Sequence, residues 1–115
     1  MAKILVVDDE EAVRSLIRRI LQIDGHDVYF AIDGWRGLVV WNDNDFDLII
    51  LDMKMPRISG TEMLQAIRDA GDDIKVVFCS ADVAPGILPK GANGAVKKPF
   101  GINELMDEVN RVLAI

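Results

Sequence analysis

Three apolar runs constrain the fold of this chain more than any other feature. They are Ile4–Val7, Leu48–Leu51 and Ile74–Cys79, and all but one of their residues are apolar. A strand with one face in solvent would alternate polar and apolar residues, whereas runs of this kind are typical of parallel strands that are covered on both faces. The sequence therefore predicts a buried parallel sheet.

Helical patterns separate the predicted strands, because apolar residues recur at helical spacing between the apolar runs. These helical segments are Val13–Leu21, Trp35–Trp41, Met63–Ile67 and Ile102–Leu113. Two shorter strands are predicted at Val28–Ile32 and Ala95–Val96. Strands that alternate with helices favour right-handed connections and helices on both faces of the sheet. The predicted fold class is α/β, a doubly wound sheet of five parallel strands in one domain over residues 1–115.

The segment between the fourth and fifth strands departs from this alternation. It contains Pro85, Gly86, Pro89 and Gly91. Proline removes a backbone donor and glycine loosens the backbone, so both residues oppose a regular helix. We expect a shortened or broken fourth helix at this point.

Composition narrows the class of protein. A formal charge of −6 disfavours nucleic acid or an anionic membrane as the main partner, because both bind basic protein surfaces. No apolar run approaches the roughly 18 residues that span a bilayer. Cys79 is the only cysteine, which excludes a disulfide framework and fits a reducing compartment. We expect a cytoplasmic protein without a membrane anchor.

Acidic residues follow two of the buried strands. Asp8 and Asp9 come directly after the first strand, and Asp52 follows the third. In a doubly wound sheet the ligand crevice lies where the winding reverses, outside the carboxyl ends of two neighbouring strands. If the strand order is 2-1-3-4-5, the three carboxylates converge on that crevice.

Crowded carboxylates repel one another, so such a site needs protonation, a cationic side chain or a hard metal ion. Mg²⁺ fits best, since it binds few carboxylates and commonly completes its shell with phosphate oxygens, which indicates phosphoryl chemistry. Ser80 ends the fourth strand and Lys98 follows the fifth, so both would face the same crevice. Lys98 is preferred over Lys97 because adjacent strand residues point to opposite faces.

These residues together resemble the receiver domains of the two-component response regulator family, over essentially the whole chain. The matching positions are the acid pair Asp8 and Asp9, the phosphoacceptor Asp52, Pro56 and Gly60, Ser80 with Ala81, and Lys98 with Pro99. The resemblance implies the flavodoxin-like strand order 2-1-3-4-5 and a single domain similar to a chemotaxis regulator.

The resemblance also implies a signalling function rather than an enzymatic one. Asp52 would accept a phosphoryl group from a phosphohistidine of a sensor histidine kinase or a phosphotransfer protein, in a Mg²⁺-dependent reaction. The domain would then change the surface that binds a downstream protein, and it would be a monomer or a weak dimer. The motifs leave the kinase and the target open.

Individual roles follow from the same resemblance. The implied Mg²⁺ ligands are Asp9, Asp52 and the backbone carbonyl of Lys54, with Asp8 bound through water. Ser80 and Lys98 would stabilise the phosphoryl oxygens. The Lys98–Pro99 peptide bond would be cis, an isomer that is accessible mainly before proline.

The residues that pass the signal to a downstream protein in the family differ in this chain. An aromatic residue is common three positions before the conserved lysine, where this chain has Ala95. Ser80 and Lys98 are 18 positions apart (98 − 80), roughly one helical turn less than is usual in the family. We expect the signal to leave through Ala81–Gly94 or through the last helix.

A gate for water is a further expectation. Lys54 and Asp82 lie two residues past the phosphoacceptor and two past the hydroxyl residue, the positions that flank the path of hydrolytic water in the family. Their opposite charges would close the mouth of the site and prolong the life of the aspartyl phosphate.

Three other functions compete with the receiver interpretation. A pseudo-receiver or phosphate sink that serves as a protein-binding module remains open because the output side is altered. An aspartate-nucleophile phosphohydrolase needs a second acid two residues after Asp52, and Lys54 occupies that position. A flavin carrier needs a phosphate-binding first loop, and the loop here is acidic.

Overall fold

Five strands and four helices make up the chain, and a computed structural model describes all of residues 1–115. The strands are β1 (Lys3–Val7), β2 (Asp27–Ala31), β3 (Leu48–Leu51), β4 (Lys75–Ser80) and β5 (Gly94–Lys97). The helices are α1 (Glu11–Ile23), α2 (Gly34–Asp43), α3 (Gly60–Asp69) and α4 (Ile102–Leu113). No helix combines the length and the apolar character that crossing a membrane requires.

All five strands are parallel and lie in the order β2-β1-β3-β4-β5, which confirms the predicted fold class. β1 and β3 are neighbours, and Val7 pairs with Leu51 at their carboxyl ends. The next residues, Asp8 and Asp52, therefore leave the sheet side by side. The amide of Asp52 donates to the carbonyl of Val7 at 3.0 Å, which extends this pairing to the edge of the crevice.

The core forms two layers, one on each face of the sheet. α1 and α4 cover one face, and α2 and α3 cover the other. Successive residues of a strand point to opposite faces. Ile4 and Val6 accordingly pack in the first layer, whereas Leu5 and Val7 pack in the second. Coverage on both faces is the physical reason for the apolar runs.

The chain forms only turns between β4 and β5, so the expectation of a broken fourth helix is confirmed. Gly86 and Gly91 adopt positive φ angles of 72° and 85°, which lie outside the helical region. Asn93 ends the segment, because its amide donates to the Val76 carbonyl at 2.8 Å and its side-chain oxygen accepts from the Val76 amide at 2.9 Å. The carboxyl end of the turn segment is thus attached to the sheet.

A side chain from α4 covers the outer edge of β5. Glu108 accepts a hydrogen bond from the Ala95 amide at 2.9 Å, and Gly94 leaves room because a Cβ there would lie 2.7 Å from the Glu108 carboxylate. Arg111 donates to Glu108 at 2.7 and 3.1 Å and to the Asn93 carbonyl at 2.9 Å. These bonds from Arg111 lower the pKa of Glu108, and the Ala95 amide adds to the effect.

Gly60 at the start of α3 touches the backbone of the third strand's carboxyl end. A Cβ at this position would collide with the carbonyl oxygen of Asp52 and would lie 2.8 Å from its carbonyl carbon. The Gly60 amide also donates to the Met53 carbonyl at 2.9 Å. The glycine therefore fixes the distance between α3 and the loop that follows Asp52.

We expect Gly60→Ala to lower the free energy of unfolding by about 2 kcal/mol or more, because backbone atoms rather than a mobile side chain would have to move. Gly101→Ala is the matched control, since the nearest atom to a Cβ there is 3.5 Å away, and at this N-cap position it should lower the free energy of unfolding by less than about 1 kcal/mol. Urea denaturation of both variants measures the difference. Equal stability of the two variants would show that the β3–α3 loop relaxes freely.

Candidate functional site

The parallel register of β1 and β3 brings two buried carboxylates to one rim. Asp8 is only 2% exposed and Asp52 only 6% exposed. The Asp8 side chain accepts a hydrogen bond from the Glu10 amide at 2.9 Å, which fixes the loop that carries Asp9 and Glu10. Asp9 is exposed at the mouth of the same crevice.

Lys98 supplies the positive charge between these acids. Its Nζ atom lies 2.8 Å from Asp8 Oδ2, 3.3 Å from Asp52 Oδ2 and 3.2 Å from Glu10 Oε1. The Lys98 amide donates to the Ser80 carbonyl at 3.0 Å, so the residue continues the β4–β5 pairing before its side chain turns into the crevice. The Lys98–Pro99 peptide bond is cis, as the resemblance implies.

The charges of the site shift one another's protonation. Burial raises the pKa of Asp8, although the hydrogen bonds from Lys98 and from the Glu10 amide act in the opposite direction. Burial alone would lower the pKa of Lys98, but the hydrogen bond to Asp8 and the charges of Asp8 and Asp52 outweigh it and raise that pKa. Burial likewise raises the pKa of Cys79, which lies in the core beneath, to about 12. Lys98 is therefore held as an ammonium ion, and Cys79 stays a protonated thiol.

The oxygen ligands at the rim fit a hard divalent cation. Carboxylate oxygens of Asp8, Asp9, Glu10 and Asp52 lie within 4.8 Å of one another. One ammonium against four carboxylates leaves an excess of negative charge, and an all-oxygen ligand set suits Mg²⁺. The Lys54 carbonyl accepts no hydrogen bond within the chain, so this oxygen is also free to act as a ligand.

Ser80 lies at the carboxyl end of β4, fully buried beside the chain that leads to Lys98. Its hydroxyl accepts a hydrogen bond from the Asp82 amide at 3.3 Å, which orients the turn after the strand. Ser80 pairs in register with Lys97, whose side chain is exposed. Lys98, and not Lys97, therefore contacts the buried acids, whereas the Ser80 hydroxyl contacts the turn after β4.

Lys54 and Asp82 meet above the site. Lys54 Nζ lies 3.5 Å from Asp82 Oδ1, and the two side chains are 80% and 42% exposed. The contact joins the loop after β3 to the turn after β4. A pair this exposed contributes only about 0–1 kcal/mol to stability, so the fold does not depend on it.

Sequence reasoning missed Glu10 as a member of the site. Glu10 follows Asp8 and Asp9 directly, and its carboxylate contacts Lys98 and joins the acidic cluster. The signal was present in the run of four acids from Asp8 to Glu11, but the third acid matched no family position. The Glu10 amide donates to the Asp8 side chain, and this bond forms a turn that directs the Glu10 side chain towards the rim.

Comparison with known proteins matches residues 4–110 to the family model of the response regulator receiver domain. The chain belongs to this family. The chain is 36% identical over 115 residues to response regulator MprA of Mycobacterium sp. (strain KMS), a match that covers 96% of this chain and 50% of that protein. The chain thus spans about half the length of the curated relatives it matches.

Two solved structures are similar over nearly the whole chain. The response regulator TrrA of Thermotoga maritima, in complex with Mg²⁺ and BeF, is 34% identical with a TM-score of 0.89, covering 97% of this chain and 99% of that one. The structure of the histidine kinase ThkA in complex with TrrA contains a chain that matches at 35% identity and a TM-score of 0.88, covering 98% of this chain and 99% of that one. The chain is the receiver domain of a two-component response regulator.

Proposed function

We propose that Asp52 is the phosphoacceptor of this receiver domain and that it takes a phosphoryl group from the phosphohistidine of a sensor histidine kinase or a phosphotransfer protein in the cytoplasm. The observation that carries the proposal is the Asp52 carboxylate at the end of β3, buried and 3.3 Å from the Lys98 ammonium. The complex of TrrA with the kinase ThkA supports the partner class. The matched residues 4–110 support a single receiver domain over residues 1–115.

The chemistry is a displacement at phosphorus. A carboxylate oxygen of Asp52 forms a bond to phosphorus while the phosphorus–nitrogen bond of the donor breaks. The bond's electron pair returns to the donor imidazole, which takes up a proton. Lys98 stabilises the negative charge on one phosphoryl oxygen, and the Ser80 hydroxyl donates a hydrogen bond to a second oxygen. The domain carries the phosphoryl group as a signal and is not proposed to turn over a substrate.

We further propose that Asp9, Asp52 and the Lys54 carbonyl hold Mg²⁺ directly, with Asp8 bound through water. Asp9 is the suited first ligand, because its side chain makes no ion pair or hydrogen bond within the chain. Asp8 is already engaged by Lys98 at 2.8 Å. Bound Mg²⁺ supplies charge neutralisation to the transferring phosphoryl group.

The output route differs from the family pattern. Ala95 replaces the common aromatic switch residue, and its amide is held by Glu108. The turn segment Ala81–Asn93 follows Ser80, whose hydroxyl accepts from the Asp82 amide, so a movement of that hydroxyl towards a phosphoryl oxygen would be passed to the turn. We propose that phosphorylation reorders this segment, or the face of α4 beside it, for an unidentified downstream protein.

Incubation with a small phosphodonor and Mg²⁺ should add the mass of one phosphoryl group to the wild type and none to Asp52→Asn, because Asp52 occupies the phosphoacceptor position of the receiver pattern and lies 3.3 Å from the Lys98 ammonium. Intact mass spectrometry measures the adduct. Asp73→Asn, at an exposed acid outside the site, is the matched control and should be labelled like the wild type. Labelling that survives in Asp52→Asn contradicts the assignment.

Amide exchange measured with and without the phosphoryl group tests the output route. Changes confined to the Asp52 pocket would favour a phosphate sink or a pseudo-receiver.

Mg²⁺ should raise the melting temperature, because it relieves repulsion among the rim carboxylates and binds only the folded state. At ten times the dissociation constant the gain is about 1.4 kcal/mol, or about 5 °C for a domain of this size. Asp9→Asn should remove most of the rise, while Asp73→Asn should keep it. The same rise in all three proteins would place the ion elsewhere.

Loss of the Lys54–Asp82 contact should shorten the life of the aspartyl phosphate. Lys54→Ala and Asp82→Ala each open the mouth to water, and we expect decay to quicken about 2- to 5-fold, as removal of about 0.4–1 kcal/mol would produce. Lys54→Met keeps the length of the side chain without its charge and separates steric cover from the ion pair. Unchanged decay in both alanine variants would mean that no gate exists.

A further inference from the structure

The outer face of α2 carries apolar side chains that the chain leaves uncovered. Trp35 and Val39 are 57% and 50% exposed, and Ile32 in the preceding turn is 43% exposed. Trp35 and Val39 are four residues apart, so they lie together on one helix face. A surface helix normally directs polar residues to solvent. We call Ile32, Trp35 and Val39 the Trp35 ridge.

Two depressions flank the Trp35 ridge. One has a volume of about 520 Å³ and is bordered by Arg36 and Arg57. The other has a volume of about 360 Å³, and Leu38, Trp41 and Ala66 form much of its wall, with Asp43 at its margin. The ridge thus separates a depression whose charged lining residues are all basic from one that is mainly apolar.

The side chains that line the first depression include hydrogen-bond donors but no acceptors. The Arg57 guanidinium makes no ion pair and no hydrogen bond within the chain, and neither does the Trp35 indole N–H, whereas the Trp41 indole donates to Asp72 at 2.8 Å. Arg36 is shared with Asp33, 3.5 Å away. An acceptor carboxylate in this depression would find a free guanidinium and a free indole donor.

Arg57 is also held in an unusual backbone conformation. Its φ angle is 70°, the only positive φ at a residue other than glycine in the chain. The left-handed region is uncommon for arginine. The neighbouring Ile58 packs against Gly34 at the start of α2, because a Cβ on Gly34 would lie 3.0 Å from the Ile58 Cβ. The loop after Asp52 therefore presents Arg57 at the ridge.

We propose that the Trp35 ridge docks an acidic segment of a partner protein that carries apolar side chains on one face. Charge complementarity argues for this occupant: the chain has a formal charge of −6, yet this depression is bordered by arginines alone among charged residues. Tryptophan and arginine are the residues that most often anchor protein interfaces. Carboxylates of the partner face Arg36 and Arg57, and its apolar side chains cross the ridge towards Trp41.

A second copy of the chain fits this face less well. In a two-fold contact the same patch meets itself, so Arg36 and Arg57 would face their own counterparts. Nucleic acid is disfavoured by the overall negative charge. The docking of an acidic segment does not require phosphorylation of Asp52, and it can be measured on the unmodified protein.

Two synthetic helical peptides test the proposal by NMR titration of the labelled full chain. Both carry leucine and phenylalanine at the same positions, and the remaining positions are glutamate in one and lysine in the other. The glutamate peptide should shift the amides of residues 32–39 and of Arg57, and the lysine peptide should not. Equal shifts from both peptides, shifts located elsewhere, or no shift up to about 1 mM would overturn the proposal.

Variants locate the contact. Trp35→Ala should weaken binding of the glutamate peptide about tenfold or more, and Arg57→Gln should weaken it about threefold to tenfold and reduce its dependence on salt. Ile87→Ala and Lys90→Ala are matched controls, because both residues are exposed on the turn segment away from α2. They should leave binding unchanged. Loss of binding in the controls would place the contact on the turn segment instead of the Trp35 ridge. Shifts of the ridge amides that depend on protein concentration without peptide would assign the face to a second copy of the chain.

Discussion

The site depends on one ammonium group set among buried acids. Asp8 and Asp52 are both withdrawn from water, and without Lys98 each would be a buried charge facing a like charge. An uncompensated buried charge typically costs about 3–5 kcal/mol, which is a large part of the stability of a domain. Lys98 therefore stabilises the fold even when no ligand is bound. In the proposed reaction the same group meets the phosphoryl group, so stability and reactivity would depend on one side chain.

The position of the Lys98 side chain depends on parts of the chain that lie far in sequence from Asp8 and Asp52. β5 is short and lies at the edge of the sheet, where strands are least constrained. Asn93 attaches its beginning to Val76, and Glu108 on α4 occupies the exposed Ala95 amide. These peripheral bonds set the register of β5, and the register sets the position of the ammonium group.

The strands and the main site residues followed from the sequence because their causes are local. Leu48–Leu51 is apolar since both faces of β3 are covered, and the acid that follows must then lie at the rim. Pro85 and Pro89 predicted the missing helix for an equally local reason. Glu10, by contrast, joins the site through a turn on Asp8, and Glu108 caps Ala95 across 13 positions, so no short pattern reveals either contact.

The exposed ridge on α2 was also beyond the sequence pattern. Tryptophan and valine four residues apart on a helix usually indicate a buried face, and only the packing of α2 against α3 shows that Trp35 faces outward. The helix buries its glycines instead, as Gly37 meets the Met63 sulfur and Val7. Small residues thus take the inner face, which displaces the larger ones to solvent.

The turn segment between β4 and β5 has a consequence for how such a domain diverges. Its two ends are fixed to the sheet, through Ser80 with Lys98 at one end of the pairing and through Val76 with Asn93 at the other. Doubling the length of a closed loop costs only about 0.6 kcal/mol in entropy. The segment is therefore free to lengthen, shorten or gain a helix by insertion and deletion while the acidic rim keeps its geometry, so the surface of this segment can diverge independently of the site.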